Sequence, residues 1–465
     1  MNHQIFVIFG NRRLLLIVFM NNSEKYELLT EGEIFQPSMM GVVPVATGGN
    51  FSKKEIESKL RSCKDFELIS FEEEASEEGT ESYVTTITYR QEEYTVNIGT
   101  GKVSDIHLDE YALGNMVEED DINIAMSQPY FIEVSLFFSG KPLDSFHFQL
   151  KLLNAIVPNA SLVVDFASFR LLSGKWLKMT ASSSIPPSPD YLYSLHAVYD
   201  EKNGVTEYWF HTHGLLRCGI IELEILNVKS GPQQMYDLIN NVVKKFLTGP
   251  TKENEKFTTG YDGLNINLAW IKWEEAVTDF PDTILGGSKD RGEDGGVHKE
   301  PSGVLFAVED GNLISPEIYV TTLANNPIYY ISNEETQRMS ELAKERFHYY
   351  ITLYKKHTSV GRRGFLDKLF NRKVNDENKW QFLVKLGLEV DEAETPADKE
   401  HLWFEVQELN EKEIKGTLLN QPYWIASLNE GDTKIYPVSV LTDWIIYDET
   451  GKQYTPDSVY QLIEI

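Results

Sequence analysis

Glu207-Tyr-Trp-Phe-His-Thr-His-Gly214, continued by Leu215-Leu-Arg-Cys-Gly219 and Ile220-Ile-Glu-Leu-Glu-Ile225, reads as a strand, a tight turn and a second strand. Side chains alternate across a strand, so Trp209, His211 and His213 share one face and Tyr208, Phe210 and Thr212 the other. On the second strand Glu222 and Glu224 share a face, opposite Ile221, Leu223 and Ile225. Pairing across the Gly214–Gly219 turn sets His211 opposite Glu222, with Cβ atoms about 5 Å apart. Two imidazoles and a carboxylate are the ligand set of a catalytic zinc site with a fourth place for water, and Cys218 is an alternative fourth ligand. The competing reading is structural: the histidines hydrogen-bond neighbouring groups and fix the hairpin. The helical His-Glu-x-x-His pattern of zinc proteases is absent. Cys218 as a nucleophile, with His211 or His213 as its base, is a further option, set against a buried and inert thiol.

Outward from this hairpin the chain alternates strands with amphipathic helices. Upstream, Tyr130–Phe138 is an apolar strand, and Leu143, Phe146, Leu150, Leu153 and Val157 make a helical stripe. Ser161–Phe166 is a strand, Phe169–Met179 another apolar segment, and Leu195–Tyr199 a strand just before the hairpin. Downstream, Pro232 opens a helix carrying Met235, Leu238, Ile239, Val242 and Phe246 on one face. Leu268–Trp273 is a strand, and the glycine-rich Gly286–Gly296 a mobile loop. Nearer the start, Gly41–Ala46 is strand-like, Ser52-Lys-Lys-Glu55 is a capping box, and Phe66–Phe71, Tyr83–Tyr89 and Tyr94–Ile98 are strands around the acidic run Glu72–Glu81. The pattern predicts an α+β fold in several domains, with antiparallel sheets and helices on one face. Boundaries are expected as an N-terminal extension or hairpin over 1–38, a small α+β unit over 39–120, a middle domain over 121–328 and a C-terminal domain over 329–465. The acidic Glu118–Asp121 marks the second boundary. At the N-terminus, Gly10-Asn11 between two apolar runs suggests a hairpin turn, and arginines interrupt what a signal peptide would keep apolar.

Composition narrows the function classes. The chain has 465 residues, with 71 Asp and Glu against 43 Lys and Arg, a formal net charge of −28. Nucleic acid is bound chiefly through clustered cations, so general nucleic-acid binding is excluded as an expectation. Cys63 and Cys218 are the only cysteines, which excludes a disulfide framework and fits a reducing, cytoplasmic compartment. No apolar run reaches the roughly 20 residues of a transmembrane helix. Gly48-Gly49 before the Ser52 helix lacks the dinucleotide and Walker fingerprints, so phosphate binding has little support.

The last third opens with a capping box, Ser332-Asn-Glu-Glu335, and a long amphipathic helix through Tyr354. Short strands follow at Trp380–Val390, Leu402–Glu408, Glu413–Leu419, Thr433–Pro437 and Trp444–Tyr447, predicting a small bent sheet. Here His401-Leu-Trp-Phe-Glu-Val406, Ile414-Lys-Gly-Thr-Leu-Leu-Asn-Gln-Pro422, Glu430-Gly-Asp-Thr433 and Leu441-Thr-Asp-Trp-Ile445 stand in the order of a known family. Over roughly residues 330–462 the chain resembles the YegJ-like bacterial family called domain of unknown function 2314. Tyr208–Gly214 and Cys218–Glu224 make the part before it resemble domain of unknown function 4026. Neither resemblance implies an activity or catalytic residues. Similar small domains among bacterial immunity proteins imply binding to a partner protein.

Two further surfaces merit naming. Arg362, Arg363, Lys368, Arg372 and Lys373 surround Phe365, Leu366, Leu369 and Phe370 in the one locally basic stretch. It could dock an acidic partner or anionic lipid, or be a flexible connection between helix and sheet. Trp403, Trp424 and Trp444 either line a groove, with Trp444 part of a binding surface, or fill the core of the sheet. The sequence thus favours a cytoplasmic, non-catalytic protein-binding module, immunity-like or stress-related, with no resident cofactor. The alternative is a metal-dependent hydrolase, with zinc at His211 and His213.

Overall fold

A computed structural model describes residues 20–46, 51–74, 81–261, 264–292, 297–326, 332–359, 380–395 and 398–463. The hairpin expected around Gly10-Asn11 lies outside the described residues, as does the basic stretch from 360 to 379. The fold is α+β, built on three mostly antiparallel sheets in two compact units. The first unit takes the chain to Ser182 and resumes at Pro189. The second combines Ser183–Ser188 with the last third. No helix among the described residues is long and apolar enough to cross a membrane.

The first sheet of the first unit contains β1 (Ser38–Pro44), β2 (Glu67–Glu74), β3 (Ser82–Tyr89), β4 (Glu92–Lys102), β5 (Ala112–Leu113), β6 (Tyr130–Leu136), β7 (Ala160–Asp165) and β8 (Arg170–Ser173). Their order is β2-β3-β4-β6-β1-β7-β8-β5. The acidic Glu118–Asp121 is therefore not a boundary in the structure. It leads into a short helix, Glu119–Met126, and the next strand, β6, inserts between β4 and β1. The apolar stripe anticipated upstream forms the helix Pro142–Ile156, whose Gln149 meets β1 through the Ser38 hydroxyl at 2.6 Å. Val43, Phe131, Leu162, Val164 and Leu171 pack with Val103, Leu108, Val117 and Ala125 from the segment between β4 and β6. Ser52 caps the helix Lys53–Ser62, but its side chain makes no capping bond, so the expected capping box does not close. Glu72–Glu74, expected in a solvated loop, pair in β2 with Val84, Tyr83 and Ser82.

The second sheet contains β9 (Ser194–Lys202), β10 (Val205–His213), β11 (Glu222–Val228), β12 (Phe257–Tyr261), β13 (Leu264–Lys272), β14 (Ser302–Glu309) and β15 (Asn312–Ile314). Its order is β12-β13-β14-β11-β10-β9, with β15 on β14. The helix Pro232–Thr248 buries Met235, Leu238, Ile239, Val242 and Phe246, the face read from the sequence. The helix Asn22–Thr30 is tied to this sheet: Tyr26 donates to the Ser302 carbonyl at 2.7 Å, and Asn22 to Glu274 at 2.6 Å. Residues 22–30 are thus part of the folded unit and no loose extension.

In the second unit the expected single helix breaks into Asn333–Glu345 and Phe347–Ser359. The break falls at Arg346, whose buried guanidinium donates to the Pro456 carbonyl at 2.7 Å. The sheet runs β19-β18-β17-β16-β20-β21, from β16 (Gln381–Glu389), β17 (Lys399–Leu409), β18 (Glu413–Leu418), β19 (Thr433–Pro437), β20 (Leu441–Tyr447) and β21 (Gln453–Tyr454). Trp444 is fully buried in it and donates its indole N–H to the Ala343 carbonyl at 3.0 Å. It therefore belongs to the core, which corrects its assignment to a binding surface.

Candidate metal centre

Strands β9 and β10 are joined by Asn203-Gly204, both at positive φ (54° and 78°), the conformation of a two-residue hairpin turn. That turn fixes the register: Lys202 faces Val205, and counting outward sets His196 directly opposite His211. His211 and His213 extend from β10 to the same side, as the alternation predicts, and His196 joins them from β9.

On the other flank the register differs from the expectation. His211 stands opposite Glu224 and not Glu222, because the connection between the strands runs from Gly214 through Ile221 and is two residues longer than the expected turn. Glu222 is turned to a different task. Its Oε1 accepts the backbone N–H groups of Gly214, Leu215 and Leu216 at 2.8, 2.9 and 3.2 Å, and its Oε2 accepts the Thr212 hydroxyl at 2.7 Å. Burial pushes this carboxyl up to about 7 against the pull of those bonds. Gly214 is held at φ 105° with the Leu192 carbonyl 2.7 Å from where a Cβ would stand, so only glycine fits. Cys218 ends the same turn, buried, with burial pushing its thiol up to about 12. A thiol so disfavoured as thiolate is neither a ready nucleophile nor a ready ligand. Among the described residues, neither Glu222 nor Cys218 is in the group of converging donors.

Glu224 is also engaged. Arg291 holds it with two bonds, at 2.9 and 2.8 Å, and the Trp209 indole donates to it at 2.7 Å; the Ser302 hydroxyl is a further donor. Arg291 is 1% exposed, although the sequence placed it in a mobile glycine-rich loop. The guanidinium also donates to the His298 carbonyl at 2.8 Å and the Gly286 carbonyl at 2.9 Å, so it anchors the segment bearing His298.

The outcome is a cluster of imidazoles. One donor nitrogen from each of His196, His211 and His213 lies within 4.8 Å of the others. Nε2 of His298 stands 3.2 Å from Nε2 of His211, in hydrogen-bond range. Nε2 of His196 and Nδ1 of His211 are buried without a hydrogen-bond partner among the described residues. Aromatic rings close the sides: Trp209 lies 4.1 Å from His211 and Phe169 4.8 Å from His213, centroid to centroid. Burial, reinforced by the neighbouring imidazoles, holds His211 and His213 well below the usual histidine range. Burial also lowers His196 and His298. Burial thus favours the neutral form of all four rings, the form in which imidazole ligates metal.

Sequence reasoning found His211 and His213 and missed His196 and His298. The Asn-Gly turn carried the signal for His196, because it fixes the β9–β10 register. No local pattern announces His298, which reaches the cluster from a segment 85 residues beyond His213 in the sequence. Arg362, Arg363, Lys368 and Arg372 lie outside the described residues.

Comparison with protein families gives matches over most of the chain. Residues 38–187 match the family model described as protein of unknown function (DUF4026) N-terminal, and residues 195–306 match its C-terminal counterpart. Residues 363–458 match the model described as uncharacterized protein conserved in bacteria (DUF2314). No curated protein and no solved structure matches the chain.

Proposed function

From a chain that belongs to the DUF4026 family and carries a DUF2314 domain behind it, we propose that the DUF4026 part is a binding module for a divalent transition metal of the zinc class. His196, His211 and His213 are the ligands, and His298 positions His211 from its far nitrogen. The observation that carries this reading is the pair of orphaned buried nitrogens, Nε2 of His196 and Nδ1 of His211, within a group whose donors lie within 4.8 Å. A buried imidazole nitrogen without a partner costs free energy that a metal bond recovers. A tetrahedral zinc with Zn–N bonds of about 2.0–2.1 Å separates its nitrogens by about 3.3 Å, so small ring rotations close the site.

Binding is favoured over hydrolysis because the two carboxylates that β11 brings to this hairpin are already engaged. Glu222 is spent on the turn and Glu224 on Arg291, Trp209 and Ser302, which leaves neither free to take a proton from a bound water. The test is metal analysis of the full chain purified without a polyhistidine tag. About one ion per chain is expected, with a thermal midpoint that falls on chelation and an affinity lowered on the order of tenfold or more in His211→Ala. A chain free of stoichiometric metal, indifferent to chelator and to added zinc, overturns the reading.

A second reading, binding of a partner protein, is favoured by one observation in the C-terminal unit. Tyr423 and Trp424, consecutive in the chain, stand exposed on a loop whose backbone is fixed.

A further inference from the structure

Tyr423 is 88% and Trp424 70% exposed, while Ile425 and Leu428 on the same loop are 6% and 5%. The backbone of the loop is pinned at both residues. Glu400 accepts the N–H of Tyr423 at 2.8 Å and of Trp424 at 2.9 Å, one on each carboxylate oxygen. Asp391 donates its N–H to the Trp424 carbonyl at 3.0 Å and accepts the Ala426 N–H on its side chain at 2.7 Å. A segment tied at both ends has little backbone entropy left to lose when its side chains are covered. Tyrosine and tryptophan offer large contact areas at two torsions each, which is why they dominate the energetic centres of protein interfaces.

Charge decides the occupant. Residues 380–463, which hold the whole sheet, contain sixteen Asp and Glu against six Lys and no Arg. Two of those carboxylates, Glu400 and Asp391, are bonded to the backbone of the loop that carries the aromatic pair. An exposed aromatic pair in an acidic domain suits a guanidinium, which stacks on a ring face while its charge meets the surrounding negative field. Lysine, a compact and strongly hydrated charge, stacks less well.

We infer that Tyr423 and Trp424 form the docking site for an arginine-bearing segment of a partner protein. The inference rests on the partner-binding reading and is independent of the histidine cluster.

The experiment uses the full chain and fluorescently labelled short peptides in which arginine, lysine, leucine or glutamate alternates with glycine and serine. Anisotropy is expected to report binding of the arginine peptide, weaker binding of the lysine peptide, and loss on the order of tenfold in Tyr423→Ala/Trp424→Ala. The two rings are exposed, so the variant keeps the thermal midpoint of the wild-type chain, and lost binding is not lost folding. Equal affinity of wild type and variant for the arginine peptide, or no binding by either, overturns the proposal. Capture of the leucine peptide alone, in a manner that depends on the rings, overturns the arginine chemistry and keeps partner binding. Ring-dependent retention on zwitterionic vesicles without any peptide binding overturns both.

Discussion

Glu222 carries most of the order in the turn that separates the histidine strand from its neighbour. One of its oxygens satisfies the N–H groups of Gly214, Leu215 and Leu216, and the other takes the Thr212 hydroxyl. Removing it leaves buried donors without acceptors, and each such donor costs about 1–3 kcal/mol. Glu222→Ala is therefore expected to lower stability by about 3 kcal/mol or more, read as a shifted urea midpoint. Glu222→Gln keeps an oxygen for the turn and costs less. The same variant separates the expected ligand set from the observed one. If Glu222 is a turn residue, Glu222→Gln binds metal as the wild type does, whereas a tenfold weaker affinity in zinc titrations would restore it as a ligand.

At the scale of elements, the turn is held to the first sheet by Arg217. Its guanidinium is fully buried, bonds both oxygens of Asp165 at the end of β7 at 2.9 Å, and donates to the Leu192 carbonyl at 2.7 Å. Breaking a buried pair strands the remaining charge, at about 3–5 kcal/mol. Arg217→Met is expected to destabilise by that amount, and Arg217→Met with Asp165→Asn by less than the sum of the single changes. Additive urea-unfolding energies in that double-mutant cycle would mean that the pair does not couple the sheets. These contacts also explain what was legible in the sequence. Alternation along Trp209–His213 gave the histidine face correctly, because it depends only on the strand period. The β10–β11 register is not legible, because Ile220 and Ile221 carry the apolar character of a strand yet belong to the connection, which shifts the pairing by two residues. Arg291 lies in a turn, as the surrounding glycine and charge suggest, yet Glu224 draws it inside. The burial of a charge depends on its partner, and the partner here is 67 residues away.

On the scale of the whole molecule, composition and period gave the α+β class, while strand order was hidden. β6 lies between β4 and β1 although the chain reaches it through an acidic segment that reads as a linker. The second unit has its own electrostatic signature, centred on Asp443 of β20. Burial raises this carboxyl from 3.8 to about 6, against the N–H of Trp444 at 2.8 Å and the attraction of Lys385 and Arg338, with Asp457 adding to the rise. The folded state thus holds this proton more tightly than the unfolded chain. Between about pH 4 and 6 the folded form binds more protons, so this group's contribution to stability falls as pH rises through that window and stays low above it. The shift sets an upper bound of about 3 kcal/mol. Asp443→Asn removes the penalty and keeps a side-chain oxygen for the Trp444 N–H. Hydrogen exchange of the β16 and β20 amides in the full chain, followed by mass spectrometry, is expected to slow in Asp443→Asn at pH 8. At pH 4.5, after correction for intrinsic rates, the variant should exchange almost as the wild type does. Parallel pH profiles for the two proteins would mean that Asp443 titrates alike in the folded and unfolded chain, and that its burial carries no pH-dependent cost.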